Sequence, residues 1–379
     1  KIDNKYLKKP IKKLLKNYNN TSCDILITDV SSNLIFVIIR NIIRSIYGSI
    51  SNIFWSRYFN LKKIPSSSII YVDTFLLSNS FDNEGNYHDR YFTGFEKFLT
   101  PNENVKIWFA PVIEASLSSQ KDYKKFFLKI SKSKTNFLIE ESWLNLNDYF
   151  ICFIHSLMIP FKIKNIPLLK NHDFSLLIQN ELRHQIGSFS LMKTIGKYKF
   201  IKKLKNKQIV IDRAIDWHEN QVVDRALNLG FKEFYPEVEV QGYQGFMTPE
   251  FYTNVQPQKY EKLLKTIPDV IHAIGPYAHA YRKGACKDLK VQKSPALRFS
   301  YLKDISLEPL SNIHIIFILP MVLEECRMLI KYALSLTNEP EYTQNIYIKL
   351  HPTYDLDYFK TLVADAADNR LNFVSEDIP

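Results

Sequence analysis

The chain has 379 residues, 46 % of them hydrophobic, with 26 Phe and 22 Tyr, enough to bury at least one large core and to suggest two domains. Ten Gly, 17 Pro and 23 % charged residues exclude a collagen-like, linker-like or disordered chain. Four widely separated cysteines, Cys23, Cys152, Cys286 and Cys326, indicate neither a disulfide framework nor a structural zinc site, and favour a reducing compartment.

In chain order, residues 1–20 come first, with seven lysines against the single acid Asp3, more than half of the net charge of +11. They read either as a solvated terminal helix or as a tether to anionic lipid. No Lys/Arg stripe with interleaved aromatics recurs further on, which argues against a nucleic-acid partner. The run Leu34–Tyr47 carries Arg40 and Arg44 and falls short of the ~20 apolar residues of a bilayer crossing, so a core helix is expected. With no secretory signal in the first residues, the expected location is the cytoplasm, with peripheral attachment to the inner membrane through the lysines.

Apolar β-rich runs at Asp24–Thr28, Ser68–Val72, Val105–Ala110, Asn136–Glu140, Gln208–Ile211, Val238–Gln241 and Val270–Ile274 alternate with helical patterns. The latter cover Asn33–Tyr47, Asp122–Ile130, Asp148–Ile159, Asn220–Leu229 and Gln258–Leu264. Such alternation predicts an α/β fold with a mostly parallel, doubly wound, Rossmann-like sheet and ligands at the carboxyl ends of the strands. The expected division is an N-terminal domain over 1–290, an irregular polar linker over 291–311, and a second Rossmann-like domain over 312–379. In the last, strands at Ile313–Leu319, Ile346–Leu350 and Leu371–Val374 enclose helices at Leu323–Ser335 and Asp355–Ala367. Three strands are few for such a domain, so either more of it follows Pro379 or the unit is unusually small.

The sequence holds no GxGxxG, GxxxxGK[ST] or GxSxG motif, which removes the usual warrants for a dinucleotide enzyme, a P-loop NTPase or an α/β-hydrolase. The chemistry-bearing residues lie at strand ends instead. Lys349-Leu350-His351-Pro352 follows a buried strand and precedes a helical pattern, so that His351 and helical N–H groups suit a phosphate; the alternative is a structural histidine. The stretch Asp212 to Gln221 delivers Asp212, Asp216, His218 and Glu219 to a strand-to-helix junction, where capping explains one acid but not three. Glu140 and Glu141 close another predicted strand, and a like-charged pair there is costly unless it meets a cation or a reacting centre. Gly242-Tyr243-Gln244-Gly245 and the Gly275-Pro276-Tyr277 end of the Pro268 strand are each weak alone.

Together these segments resemble the bacterial surface-polysaccharide glycosyltransferases of GT-B architecture, and among them the retaining β-Kdo transferases of capsule and O-antigen assembly, over roughly residues 135–379. The resemblance implies two Rossmann-like domains facing a cleft and transfer of Kdo from CMP-Kdo to a lipid-linked or oligosaccharide acceptor with β configuration retained. It assigns His351, Pro352, Lys349, Gly275 and Tyr277 to the donor, and His218, Tyr243 and Gln244 to the acceptor or sugar. Asp216 and Asp212 are the nucleophile candidates, with Glu219, Glu140 or Glu141 as acid/base or sugar-binding partners. A departing CMP can be stabilised by histidine and a helix dipole, so no metal or other cofactor is expected. Two other readings stay open: a sialyl or glycerol-phosphate transferase using another CMP- or CDP-linked donor, and a non-catalytic scaffold that holds a glycan-assembly complex at the membrane.

Overall fold

The computed structural model describes residues 34–303 except 78, 83, 114–116, 118, 164–172 and 248–252, and beyond these 315–320, 322–339, 341, 344–351, 359 and 371–374. The chain divides into two compact units, Lys1–Ser300 and Tyr301–Pro379.

The first unit is built on six parallel strands: β1 (Ile69–Leu76), β2 (Ile107–Ile113), β3 (Ile211–Trp217), β4 (Val240–Gln244), β5 (Val270–Ile274) and β6 (Lys290–Ser294), in the order β2-β1-β3-β4-β5-β6. Every residue of β1 is buried, as expected of a central parallel strand covered on both faces, where the apolar run is continuous and not alternating. The chain leaves β1 towards β2 on one side and β3 on the other, so the topological switch point lies between β1 and β3, where such sheets bind ligands. That makes the carboxyl ends of these two strands the first place to look for chemistry.

Helices α1 (Leu34–Tyr58), α2 (Gln120–Lys132), α3 (Leu146–Lys162), α4 (Ser175–His184), α5 (Phe189–Asn206), α6 (Val222–Phe234) and α7 (Gly275–Ala285) surround this sheet. Reciprocal capping boxes start α2 (Ser119 with Asp122), α3 (Asn145 with Asp148) and α6 (Gln221 with Asp224), satisfying donors that a helix start leaves unpaired. On one sheet face Phe200, Ile201 and Leu204 of α5 and Leu227 and Phe231 of α6 pack over Tyr71, Ala214 and Val240. On the other, Phe92 and Leu297 cover Ile70, Val72, Ile215, Trp217 and Tyr243. The second unit contains a three-stranded parallel sheet, β7 (Ile315–Ile318), β8 (Ile346–Lys349) and β9 (Leu371–Val374), with α8 (Leu323–Thr337) contributing Cys326, Ile330 and Ala333 to its core.

The α/β class and the parallel sheet agree with the expectation; several details do not. Residues 291–294, expected in a linker, belong to β6, the sixth strand of the first sheet. The expected strand at Asn136–Glu140 makes a single parallel bridge, Phe137 to Phe109, and then turns into a helical turn, Glu140–Trp143. The strand expected at Gln208–Ile211 runs instead from Ile211 to Trp217, through Asp212 and Arg213. Helices α4, α5 and α7 were not foreseen, because their mixed charge and apolar content hides the period. The strand expected at Asp24–Thr28 lies outside the described residues, as does the helix at Asp355–Ala367 apart from Phe359.

Candidate active site

At the switch point Asp73 of β1 stands directly beside Asp216 of β3 in the sheet register. Both are buried on the face covered by α5 and α6. Two adjacent carboxyls in apolar surroundings are unfavourable without a cation, and α5 supplies one. Lys197 Nζ donates to Asp73 Oδ1 at 2.9 Å and lies 3.6 Å from Glu140 Oε2, with side chains of Lys197 and Asp73 each 1 % exposed. Burial alone pulls the Lys197 ammonium down, but Asp73, Tyr71 and Glu140 outweigh it and hold the group charged.

Glu140 reaches this lysine from the helical turn that follows the Phe137 bridge. Burial pushes its carboxyl up to about 7, Lys197 opposing the shift. Gly196 makes room for it: a Cβ there would lie 2.7 Å from Glu140 Oε1. Glu141 is buried beside it and also raised, first by burial.

Asp216 continues the cluster on the β3 side. Its Oδ2 is 3.1 Å from His218 Nδ1 and accepts from Asn228 Nδ2 at 3.1 Å. Burial, then the neighbouring Asp73, raise its pKa well above the usual carboxylate range, while burial lowers His218 to about 4. Both shifts favour the neutral form of each partner, so the contact has the character of a hydrogen bond more than of an ion pair. Asp224 on α6 accepts from the backbone N–H of Glu219 and Gln221, both at 2.9 Å. Four buried polar atoms here have no hydrogen-bond partner among the described residues: Asp216 Oδ1, His218 Nε2, Asp224 Oδ1 and Asn228 Oδ1.

At the carboxyl edge of β3 the chain turns through Asn220, whose φ of 58° is in the left-handed region that asparagine tolerates. Its amide Nδ2 donates to Asn254 O at 2.9 Å and to the Glu261 carboxylate at 3.3 Å, and Arg225 pairs with Glu261 at 2.6 Å. This turn leaves Glu219 half-buried at the edge, accepting from Trp217 Nε1 at 2.7 Å and Gln221 Nε2 at 2.6 Å. Tyr91 packs on Trp217 with ring centres 4.3 Å apart, Phe246 lies at 5.7 Å from the same ring, and the Arg298 guanidinium sits 5.5 Å above Tyr91. Both oxygens of Glu219 thus accept from side chains of the same unit, beside an aromatic cluster and a guanidinium.

The remaining expected residues are placed differently. Asp212 sits at the amino end of β3, four residues from Asp216 and about 13 Å along an extended strand. There it accepts from Ser68 Oγ at 2.8 Å and pairs with Lys106 at 3.0 Å, and these contacts, the Ser68 bond first, lower its pKa. It is not brought together with the cluster, because the strand begins where it was expected to end. The Tyr243 hydroxyl donates to Pro295 O and accepts from Leu297 N, both at 2.9 Å. Gln244 is buried, donating to Val255 O at 3.1 Å and accepting from Arg282 Nε at 2.7 Å. The side-chain polar groups of Tyr243 and Gln244, expected to meet an acceptor, are therefore engaged inside the unit, as is Nδ1 of His218. The glycines of this loop are fixed by packing: a Cβ on Gly242 would lie 2.5 Å from Pro268 Cγ, and one on Gly245 2.4 Å from the Tyr243 ring.

Gly275, with φ 72°, opens α7 directly after β5, and Tyr277 on its first turn is 57 % exposed. Lys349 ends β8 and half-buried His351 follows two residues later, so both lie at the carboxyl end of the second sheet as expected; Pro352 is outside the described residues. Sequence reasoning missed Asp73 and Lys197. The first carried a signal, an acid inside the apolar run Ile69–Leu76; the second is one of seven lysines on α5-flanking sequence 193–207 and carried none. Among the described residues, no group of three or more His, Cys, Asp or Glu is placed to hold a metal ion. Compared with known proteins, the chain matches no family model and no curated protein.

Proposed function

We propose that the protein is a retaining glycosyltransferase of GT-B type, moving Kdo from CMP-Kdo to a surface-polysaccharide or lipopolysaccharide acceptor. The observation that carries this reading is the cluster at the carboxyl end of β3, where Asp216 and His218 each keep a buried polar atom without a partner among the described residues. Such atoms cost free energy and are kept where they do chemistry. Asp216 Oδ1 forms a glycosyl ester at the anomeric carbon as the C–O bond to CMP breaks, and its proton passes from Oδ2 to His218 Nδ1. The acceptor hydroxyl then displaces the carboxylate, giving its proton to Glu140, whose pKa near 7 fits a general base at neutral pH. Glu219 with its aromatic rim holds sugar hydroxyls at the edge. The resemblance assigns the donor phosphate to His351, Lys349 and Pro352.

The test is CMP release and product formation with CMP-Kdo and a purified polysaccharide-primer acceptor. Asp216→Asn cannot form an ester and is expected to lose activity by about 10³-fold or more with an unchanged circular dichroism spectrum. Full activity in that variant overturns the assignment of Asp216.

A further inference from the structure

Helix α1 is amphipathic in the reverse of the usual sense. The face it packs against the unit is mostly small and polar, with Ser45, Ser49, Asn52 and Ser56 each at most 6 % exposed beside the buried Val37 and Ile53. The face it turns to solvent carries Ile35, Ile39, Ile43, Ile46, Ile50 and Phe54, between 46 % and 68 % exposed. The spacings of three and four place these six on one stripe along the whole helix.

A second stripe of the same spacing runs along α3, where Leu146, Phe150, Ile154, Met158 and Phe161 are 37–70 % exposed. The two helices meet across Gly187, at which a Cβ would lie 2.8 Å from Ile42 of α1 and 3.5 Å from Leu157 of α3. Two exposed apolar stripes of this extent on a folded unit mark an interaction site.

The charges beside it select the partner. Helix α1 contains Arg40, Arg44 and Arg57 and no acid, and all three arginines are exposed; residues 1–20 add seven lysines. Although α1 is long and apolar enough to cross a bilayer, with a mean hydropathy of 1.4, it is tied to its own unit along its length. Asn41 Nδ2 donates to His184 O at 2.9 Å, Ser45 Oγ to Gly187 O at 2.6 Å, and Ser51 Oγ accepts from Gln120 Nε2 at 2.6 Å. Spanning would break these bonds and strand their polar groups in hydrocarbon.

We propose that α1 and α3 together form a docking face that lies in the interface plane of an anionic bilayer, with the isoleucines and phenylalanines at the acyl boundary and the arginines among the headgroups. This is independent of the reaction, and it differs from tethering by the N-terminal lysines in being apolar and so resistant to salt.

Flotation of the full chain with phosphatidylglycerol–phosphatidylethanolamine vesicles tests it. The protein is expected to float at both low and ~0.5 M salt, and Ile39→Ser/Ile43→Ser/Ile50→Ser to lose at least about tenfold in partitioning with an unchanged melting temperature. Phe150→Ser/Met158→Ser should lower partitioning as well, whereas deletion of residues 1–16 should matter at low salt only. Flotation of the native chain that vanishes at high salt assigns binding to the lysines and overturns the proposal. Failure to float, with a lipid-free dimer that the triple substitution dissociates, assigns the face to a second copy and overturns it too.

Discussion

Lys197 is the residue that makes the buried carboxyls tolerable. Its ammonium is the cation shared by Asp73 and Glu140, and a buried pair is far more costly to break than to replace. Lys197→Met leaves Asp73 uncompensated and is expected to lower stability by about 3–5 kcal/mol, whereas Lys197→Met/Asp73→Leu recovers much of that loss. Urea unfolding of the two variants distinguishes the outcomes; equal destabilisation by the single and double changes contradicts the pairing. Glu140 gives the pH dependence. Its folded-state pKa, raised from 4.5 to about 7, means that above pH 4.5 the unfolded chain gives up a proton that the folded chain still holds. Its contribution to stability therefore falls as pH rises from about 4.5 to 7 and is flat outside that window. Unfolding midpoints of Glu140→Gln should gain on the native chain across that interval, and parallel pH curves for the two would show that Glu140 is not raised.

At the scale of the element, the sequence was legible where one kind of signal dominated. The Val270–Ile274 and Leu371–Val374 runs stand where expected because short, largely apolar segments bounded by Pro268-Asp269 and Gly275 or by Asp368-Asn369 and Ser375-Glu376 leave few choices. It misled at β3, where Asp212 and Arg213 at the exposed start of the strand look like its end. Recognising that the strand continues through Ala214 to Trp217 moves Asp212 to the far edge and leaves Asp216 as the buried acid. Helix α1 misled for the opposite reason: an apolar helix reads as core, but only packing shows that its serines face inward and its isoleucines outward. The Glu219–Gln221 segment reads in the sequence as functional chemistry; the structure gives it a local task, since Gln221 caps α6 with Asp224 and Asn220 makes the turn.

On the scale of the molecule, the carboxylates that were expected at separate strand ends converge because the sheet reverses between β1 and β3. Strand order is set by long-range pairing that no local pattern encodes, which is why Glu140, Asp216 and the unforeseen Asp73 and Lys197 could not be grouped from the sequence. That convergence is also what the proposed reaction needs: a carboxyl able to form an ester and a second carboxyl near neutral pKa. A double displacement preserves configuration at the sugar, while a single displacement assisted by Glu140 alone would reverse it. The anomeric configuration of the Kdo residue in the product formed from CMP-β-Kdo, read by NMR, is therefore the most direct measurement. Double displacement through Asp216 gives a β-linked product; an α-linked product would mean a single displacement and rule out the covalent step.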